Sequence, residues 1–139
     1  MPPPTKYNVL LVEDNPGDER LIREGFKSTG ADITVMCANS GAEALALLRR
    51  ERPNLILLDL NLPAVDGREV LHNLKSDKRL RHIPIVVLTS SLLPQDILAA
   101  YRNGANCYME KPLDLTVLFQ RIRELFHFWT ETAVLPPEE

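Results

Sequence analysis

Short runs of nearly unbroken apolar residues recur along the chain: Asn8 to Val12, Ile33 to Cys37, Asn54 to Leu58, Ile85 to Leu88 and Cys107 to Met109. Polar residues do not alternate within them, which is the habit of strands covered on both faces, as in parallel sheets. Helix-period segments lie between the runs. The first follows Pro16, a residue suited to a first helical turn, and carries Leu21, Ile22, Gly25 and Phe26 on one face. The second opens on a capping box, with Ser40 accepting from the Glu43 backbone N–H and the Glu43 side chain reaching back, and then points Leu45 and Leu48 inward. Val70, Leu71 and Leu74 define a third helix. Ile97, Leu98 and Tyr101 define a fourth, which Gly104 ends in a left-handed conformation. In the last, Leu115, Leu118, Ile122, Leu125 and Trp129 recur three and four apart, widened by Phe119 and Phe126, while Val117 and Phe128 fall outside that face.

Five strands alternating with five helices predict an α/β fold, a doubly wound five-stranded parallel sheet in a single domain, because right-handed crossovers put helices on both faces. The domain is expected over residues 8–129, with an N-terminal extension over 1–7 and a C-terminal tail over 130–139. A chain of 139 residues is long enough to bury a core without cross-links, and 45% hydrophobic with 25% charged residues is the balance of a globular protein. The net charge of −3 gives no electrostatic reason to bind nucleic acid or an anionic membrane. Cys37 and Cys107 show no zinc or disulfide spacing and read as reduced, buried thiols. The start MPPPTKYN lacks the pattern of a secretory signal, and no apolar run reaches membrane-spanning length, so a cytoplasmic location is expected.

In such a sheet, ligands bind at the C-terminal ends of the strands. Glu13 and Asp14 follow the first strand there, Asp59 the third, Thr89 the fourth and the residue Lys111 the fifth. Clustered carboxylates repel by about 3 kcal/mol per charged pair at ~5 Å and an effective dielectric near 20. A hard divalent cation relieves this, and Mg²⁺ suits a site of few carboxylates that also receives phosphate oxygens. Asp59→Asn is therefore expected to raise the melting temperature of the metal-free domain. With the Lys111 charge and the Thr89 hydroxyl beside it, Asp59 is the natural nucleophile for in-line phosphoryl transfer, where the protein contributes mainly position and charge.

The blocks LLVEDNPGD, RPNLILLDLNLPAVDG, HIPIVVLTSS and NCYMEKP resemble the receiver domains of bacterial response regulators, and the likeness runs from Asn8 to about Trp129. It implies a flavodoxin-like, CheY-like receiver fold and a two-component function, in which a histidine kinase phosphorylates Asp59 in a Mg²⁺-dependent reaction. By the same resemblance, Asp14, Asp59 and the backbone carbonyl of Asn61 hold the metal directly and Glu13 acts through water. Lys111 and Thr89 bind the phosphoryl group, Thr89 and Tyr108 switch on phosphorylation, Asn61 and Ser91 tune its lifetime, and the Lys111–Pro112 bond is cis. Receivers of this kind are not enzymes in the ordinary sense, although they phosphorylate themselves from small donors and dephosphorylate themselves. The stretches DGREVL, NCY and FWTETAVLP resemble more closely the small receivers that partner bacterial phytochromes, several of which form homodimers through the last helices and tail. Val117, Phe128 and Ala133-Val134-Leu135, apolar yet outside the core face, fit such a contact.

Other readings explain less. A scaffold-like receiver that is never phosphorylated is the main alternative, but every acidic and basic position that phosphorylation needs is filled. A haloacid-type phosphatase wants a second Asp two residues after the first, where Asn61 stands. A nucleotide binder wants a glycine-rich phosphate loop that the sequence lacks. Too few residues follow Trp129 for a helix-turn-helix, so output is expected to pass through protein contacts. His72, His82 and His127 sit outside the constellation and read as surface or boundary residues. Gly67, after Asp66, reads as a turn residue.

Overall fold

The computed structural model describes residues 6–62 and 67–137. Five strands, β1 (Lys6–Val12), β2 (Asp32–Ala38), β3 (Leu55–Leu58), β4 (Ile85–Thr89) and β5 (Cys107–Glu110), alternate with α1 (Pro16–Lys27), α2 (Gly41–Leu48), α3 (Gly67–Ser76), α4 (Pro94–Arg102) and α5 (Leu115–His127). The strands form one parallel sheet in the order β2-β1-β3-β4-β5. The chain reverses direction across the sheet between β1 and β3, and that switch point opens a crevice at the C-terminal edge.

The unbroken apolar runs are explained by a core on each face. Leu10, Val12, Ile56, Leu58, Ile85 and Val87 point into one core with α2, α3 and α4. Val9, Leu11, Leu55, Leu57, Val86 and Leu88 point into the other, where α1 packs on α5 through Ile22, Phe26, Leu118 and Ile122. A period of two, apolar on both faces, makes Val9–Val12, Leu55–Leu58 and Ile85–Leu88 unbroken apolar runs.

Local chemistry starts the helices where expected. Asn15 Oδ1 accepts from Asp18 N at 3.0 Å and Pro16 occupies the first turn of α1. Ser40 Oγ accepts from Glu43 N at 3.1 Å, although the Glu43 carboxylate takes the N–H of Asn39 instead of Ser40. Asp114 caps α5 through Thr116 N and Val117 N. Gly104 ends α4 at φ +101°.

The inward faces differ in detail. In α4, Ala100 is buried and Ile97 half-buried, while Leu98 and Tyr101 are each 49% exposed. The small Ala100 lets α4 sit close to the sheet, and this turns the larger side chains outward. Leu21 and Leu115 are likewise exposed, at the outer edges of their helical stripes. Cys37 and Cys107 are free thiols, half-buried because they lie on the two edge strands, whose outer sides have no neighbour. Gly67 opens α3 where a Cβ would lie 2.5 Å from Asp59 O and Leu60 Cα, so it serves close backbone approach. Asp66, the other half of the expected turn, lies outside the described residues, as do residues 1–5 of the expected extension and 138–139 of the tail. The Lys111–Pro112 bond is not cis. No cis peptide bond occurs among the described residues, and trans is the isomer favoured before proline by about 0.5–1 kcal/mol. Past α5 the chain makes a π-helical turn, Phe128–Thr132. Among the described residues no helix is long and apolar enough to cross a membrane.

Candidate functional site: an acidic cluster at the sheet edge

The strand ends bring Glu13, Asp14 and Asp59 together, each with a carboxylate oxygen within 4.8 Å of the others'. Hydrogen bonds of the sheet itself fix this convergence. Glu13 N donates to Ala38 O at 2.9 Å and Asp59 N donates to Val12 O at 3.0 Å, so both acidic residues are still held by the ladder as they leave it. Glu13 and Asp59 are buried, whereas Asp14 is exposed at the rim.

Lys111 is carried to the same point because Lys111 N donates to Thr89 O at 2.8 Å, continuing the pairing of β4 and β5. Its Nζ donates to Asp59 Oδ2 at 2.9 Å, to Asp18 Oδ2 at 3.0 Å and to Glu13 Oε1. Asp59 Oδ1 accepts from Asn61 N at 3.0 Å. Burial alone would raise the Asp59 carboxyl, but the Asn61 N–H and the Lys111 ammonium outweigh it and hold Asp59 below the usual range. Glu13 goes the other way. Burial, with the Asp59 charge adding to it, pushes Glu13 up to about 7 against the pull of Lys111. Burial would lower Lys111, yet Glu13, Asp59 and Asp18 together raise it, so it stays charged.

Thr89 is fully buried at the end of β4, and its Oγ1 has no hydrogen-bond partner. A buried hydroxyl without a partner is a rare and costly feature that calls for an explanation. It is an unspent donor at the C-terminal end of β4. Two residues on, Ser91 is engaged in the β4–α4 loop: its Oγ donates to Asp96 Oδ2 at 2.6 Å and accepts from Leu93 N at 3.2 Å. Tyr108, half-buried in β5, donates its hydroxyl to Ser91 O at 2.8 Å.

Glu13, Asp14, Asp59, Thr89 and Lys111 therefore lie at one edge, while Tyr108 sits within β5, opposite Val87, and reaches the β4–α4 loop through its hydroxyl. Lys111 is already clamped by carboxylates, and the Ser91 hydroxyl is occupied within its own loop. Asp18, Arg68 and Asp96 were not foreseen. Asp18 sits in the first turn of α1, just past Glu13-Asp14 within the same acidic block, and that proximity was the available signal. Arg68 pairs with Asp96 between α3 and α4, a contact with no local signature.

The donor set suits a hard divalent cation. It is all oxygen, carries excess negative charge, and includes an exposed carboxylate at the rim beside a buried one whose proton a metal would displace.

A parallel sheet in this order, with an acidic cluster, a buried hydroxyl and a lysine at its C-terminal edge, defines the receiver class. The family model for the response regulator receiver domain matches residues 9–123, and the chain belongs to that family. It is 43% identical over 135 residues to response regulator Rcp1 of Synechocystis sp., covering 92% of both chains. The phosphorylated cyanobacterial phytochrome response regulator RcpA superposes with a TM-score of 0.90 at 44% identity, over 95% of this chain and 99% of that one. The Mn²⁺-bound form of Rcp1 gives 0.87 at 42% identity, over 94% and 99%. Receiver domains are phosphorylated by a kinase, bind a divalent metal, and act as phosphoacceptor switches rather than as enzymes in the ordinary sense.

Proposed function

We propose that Asp59 accepts a phosphoryl group from a histidine kinase of the phytochrome type, in a Mg²⁺-dependent reaction, and that the modified chain signals through protein contacts. One observation carries this reading: an ionised, buried Asp59 flanked by carboxylates, the Lys111 ammonium and an unpartnered Thr89 hydroxyl. The phytochrome assignment rests on Rcp1 and on RcpA, the latter described as a phytochrome response regulator.

In this reading Asp14, Asp59 and the Asn61 carbonyl hold Mg²⁺ directly and Glu13 holds it through water. The ion supplies charge neutralisation for the phosphoryl oxygens. An Asp59 oxygen attacks phosphorus in line, forming an acyl phosphate. The P–N bond to the kinase imidazole breaks, and the imidazole leaves with the electron pair and takes a proton. Lys111 exchanges a carboxylate for a phosphoryl oxygen and Thr89 donates to another, after which Tyr108 and its loop adjust. In hydrolysis a water attacks phosphorus, the bond between phosphorus and the Asp59 oxygen breaks, and inorganic phosphate leaves. Asn61 and Ser91 flank that path. Small acyl phosphates serve as donors by the same attack, the P–O bond to their acyl oxygen breaking and the carboxylate leaving with the electron pair. The reading also takes residues 8–129 as the receiver unit and the cytoplasm as its location. It makes the chain a homodimer through α5 and the tail, where Phe128 is 48% and Val134 95% exposed. Sedimentation tests the dimer.

The direct test is transfer of label from a ³²P-phosphorylated phytochrome-type kinase. Transfer to the wild type and none to Asp59→Asn is expected. No transfer to the wild type from any phosphorylated histidine kinase of the same cell counts against the proposal.

A further inference from the structure

The Thr89 hydroxyl is fully buried and has no hydrogen-bond partner. An unsatisfied group ordinarily relaxes toward a partner, so the surroundings must over-determine its position. On the strand side β4 does this. On the loop side Ser90 is exposed, and the next anchor is Ser91. Ser91 is held from three directions: its Oγ by Asp96 at 2.6 Å, the same Oγ by Leu93 N at 3.2 Å, and its carbonyl by the Tyr108 hydroxyl at 2.8 Å. Asp96 is in turn paired with Arg68 of α3, which begins where Gly67 packs on the backbone of Asp59 and Leu60.

We infer that Asp96, braced by Arg68 and acting through Ser91, is a positioning residue that holds the Thr89 hydroxyl ready for a phosphoryl oxygen on Asp59. The inference rests on the phosphoacceptor reading above and extends it to two residues that touch neither the metal nor the phosphoryl group. The physical content is preorganisation. A hydroxyl fixed before the ligand arrives loses little freedom when it binds, whereas one on a slack loop must be ordered at that moment. The brace also ties the β4–α4 loop to α3 and β5, so any movement of Tyr108 or α4 is felt at Thr89.

The test uses beryllium fluoride with Mg²⁺ as a stable mimic of the acyl phosphate, with affinity read by titration and the fold by melting temperature. Asp96→Ala and Asp96→Asn are each made in the wild type and in a Thr89→Ala background. A hydrogen bond to a charged oxygen is worth enough that losing its preorganisation weakens binding about tenfold, so Asp96→Ala is expected to do so with Thr89 present. Asp96→Asn, which still accepts from Ser91, recovers part of the loss. With Ala at 89 there is no hydroxyl to hold, and Asp96→Ala changes the affinity less than about twofold. The drop in melting temperature is the same in both backgrounds. Equal weakening in both backgrounds means that Asp96 acts only on general stability, and overturns the inference. Unchanged or tighter binding by Asp96→Ala also overturns it, tighter binding showing that the brace resists the bound arrangement. Asp59→Asn measured alongside separates the two levels: if the wild type binds the mimic no better than Asp59→Asn, the phosphoacceptor reading itself fails and takes this inference with it.

Discussion

Lys111 Nζ lies 2.9 Å from Asp59 Oδ2, and the same ammonium reaches Glu13 and Asp18, so one lysine offsets part of the repulsion within the cluster. The lysine charge is held among the carboxylates of the candidate metal site. In the proposed function, metal and phosphoryl group would replace contacts that already exist around Lys111.

Lys111→Met is the first consequence. Removing one member of a buried ion pair costs about 3–5 kcal/mol, because the remaining charges are left uncompensated. The variant is expected to lose about 3 kcal/mol in urea unfolding with EDTA, and to recover part of it with Mg²⁺. A variant as stable as the wild type in EDTA means that the lysine does not neutralise the cluster. Asp59→Asn relieves repulsion within the cluster but also removes a partner of Lys111, so its melting temperature in metal-free buffer is expected to rise less than repulsion alone suggests.

Glu13 gives the metal-free domain a defined pH dependence. Its carboxyl is raised from 4.5 to about 7, so the folded state binds more protons than the unfolded state between those values. Stability from this group is complete below about 4.5 and is lost as pH rises through about 7. Asp59, being lowered, titrates below this window. The melting-temperature advantage of wild type over Glu13→Gln is expected to fall steadily from pH 5 to 7.5 in EDTA. A difference that stays flat contradicts the assignment.

Thr89→Val replaces an unpaired buried hydroxyl by a methyl group of similar size. An unsatisfied group of this kind costs about 1–3 kcal/mol, so the resting domain is expected to gain about 1 kcal/mol while binding the acyl phosphate mimic more weakly. Calorimetry with and without beryllium fluoride reads both effects. A variant that is destabilised at rest shows that the hydroxyl has a partner after all.

Gly67→Ala pushes a Cβ to 2.5 Å from backbone atoms of residues 59 and 60, which cannot move without disturbing the phosphoacceptor loop. Gly25→Ala meets the Ile122 Cδ1 atom at the same distance, but a side-chain tip can turn away. Denaturation is expected to show Gly67→Ala losing at least about 2 kcal/mol and Gly25→Ala less. The reverse order contradicts this account of α3.

The sheet was legible because its central strands are apolar on both faces, a pattern that few alternatives share. Asp59 and Thr89 were legible because each directly follows an unbroken apolar run, Leu55–Leu58 and Ile85–Leu88. What the pattern could not carry were relations across the fold. Leu98 and Tyr101 of α4 face outward because the close fit of Ala100 sets the roll of that helix, and periodicity alone favours the larger residues. Asp18, in the first turn of α1, meets Lys111 from the far end of the chain, a contact that the fold alone creates. The Arg68–Asp96 pair links residues that are neighbours solely because α3 and α4 pack side by side.

The proposed function stands on phosphorylation of Asp59 with metal bound beside it. Intact-mass spectrometry after incubation with acetyl phosphate and Mg²⁺ tests it most directly, run beside Asp59→Asn and an EDTA control. The wild type with Mg²⁺ is expected to gain one phosphoryl group, and both Asp59→Asn and the EDTA control none. A wild type that gains nothing, or an Asp59→Asn variant that gains as much, contradicts it.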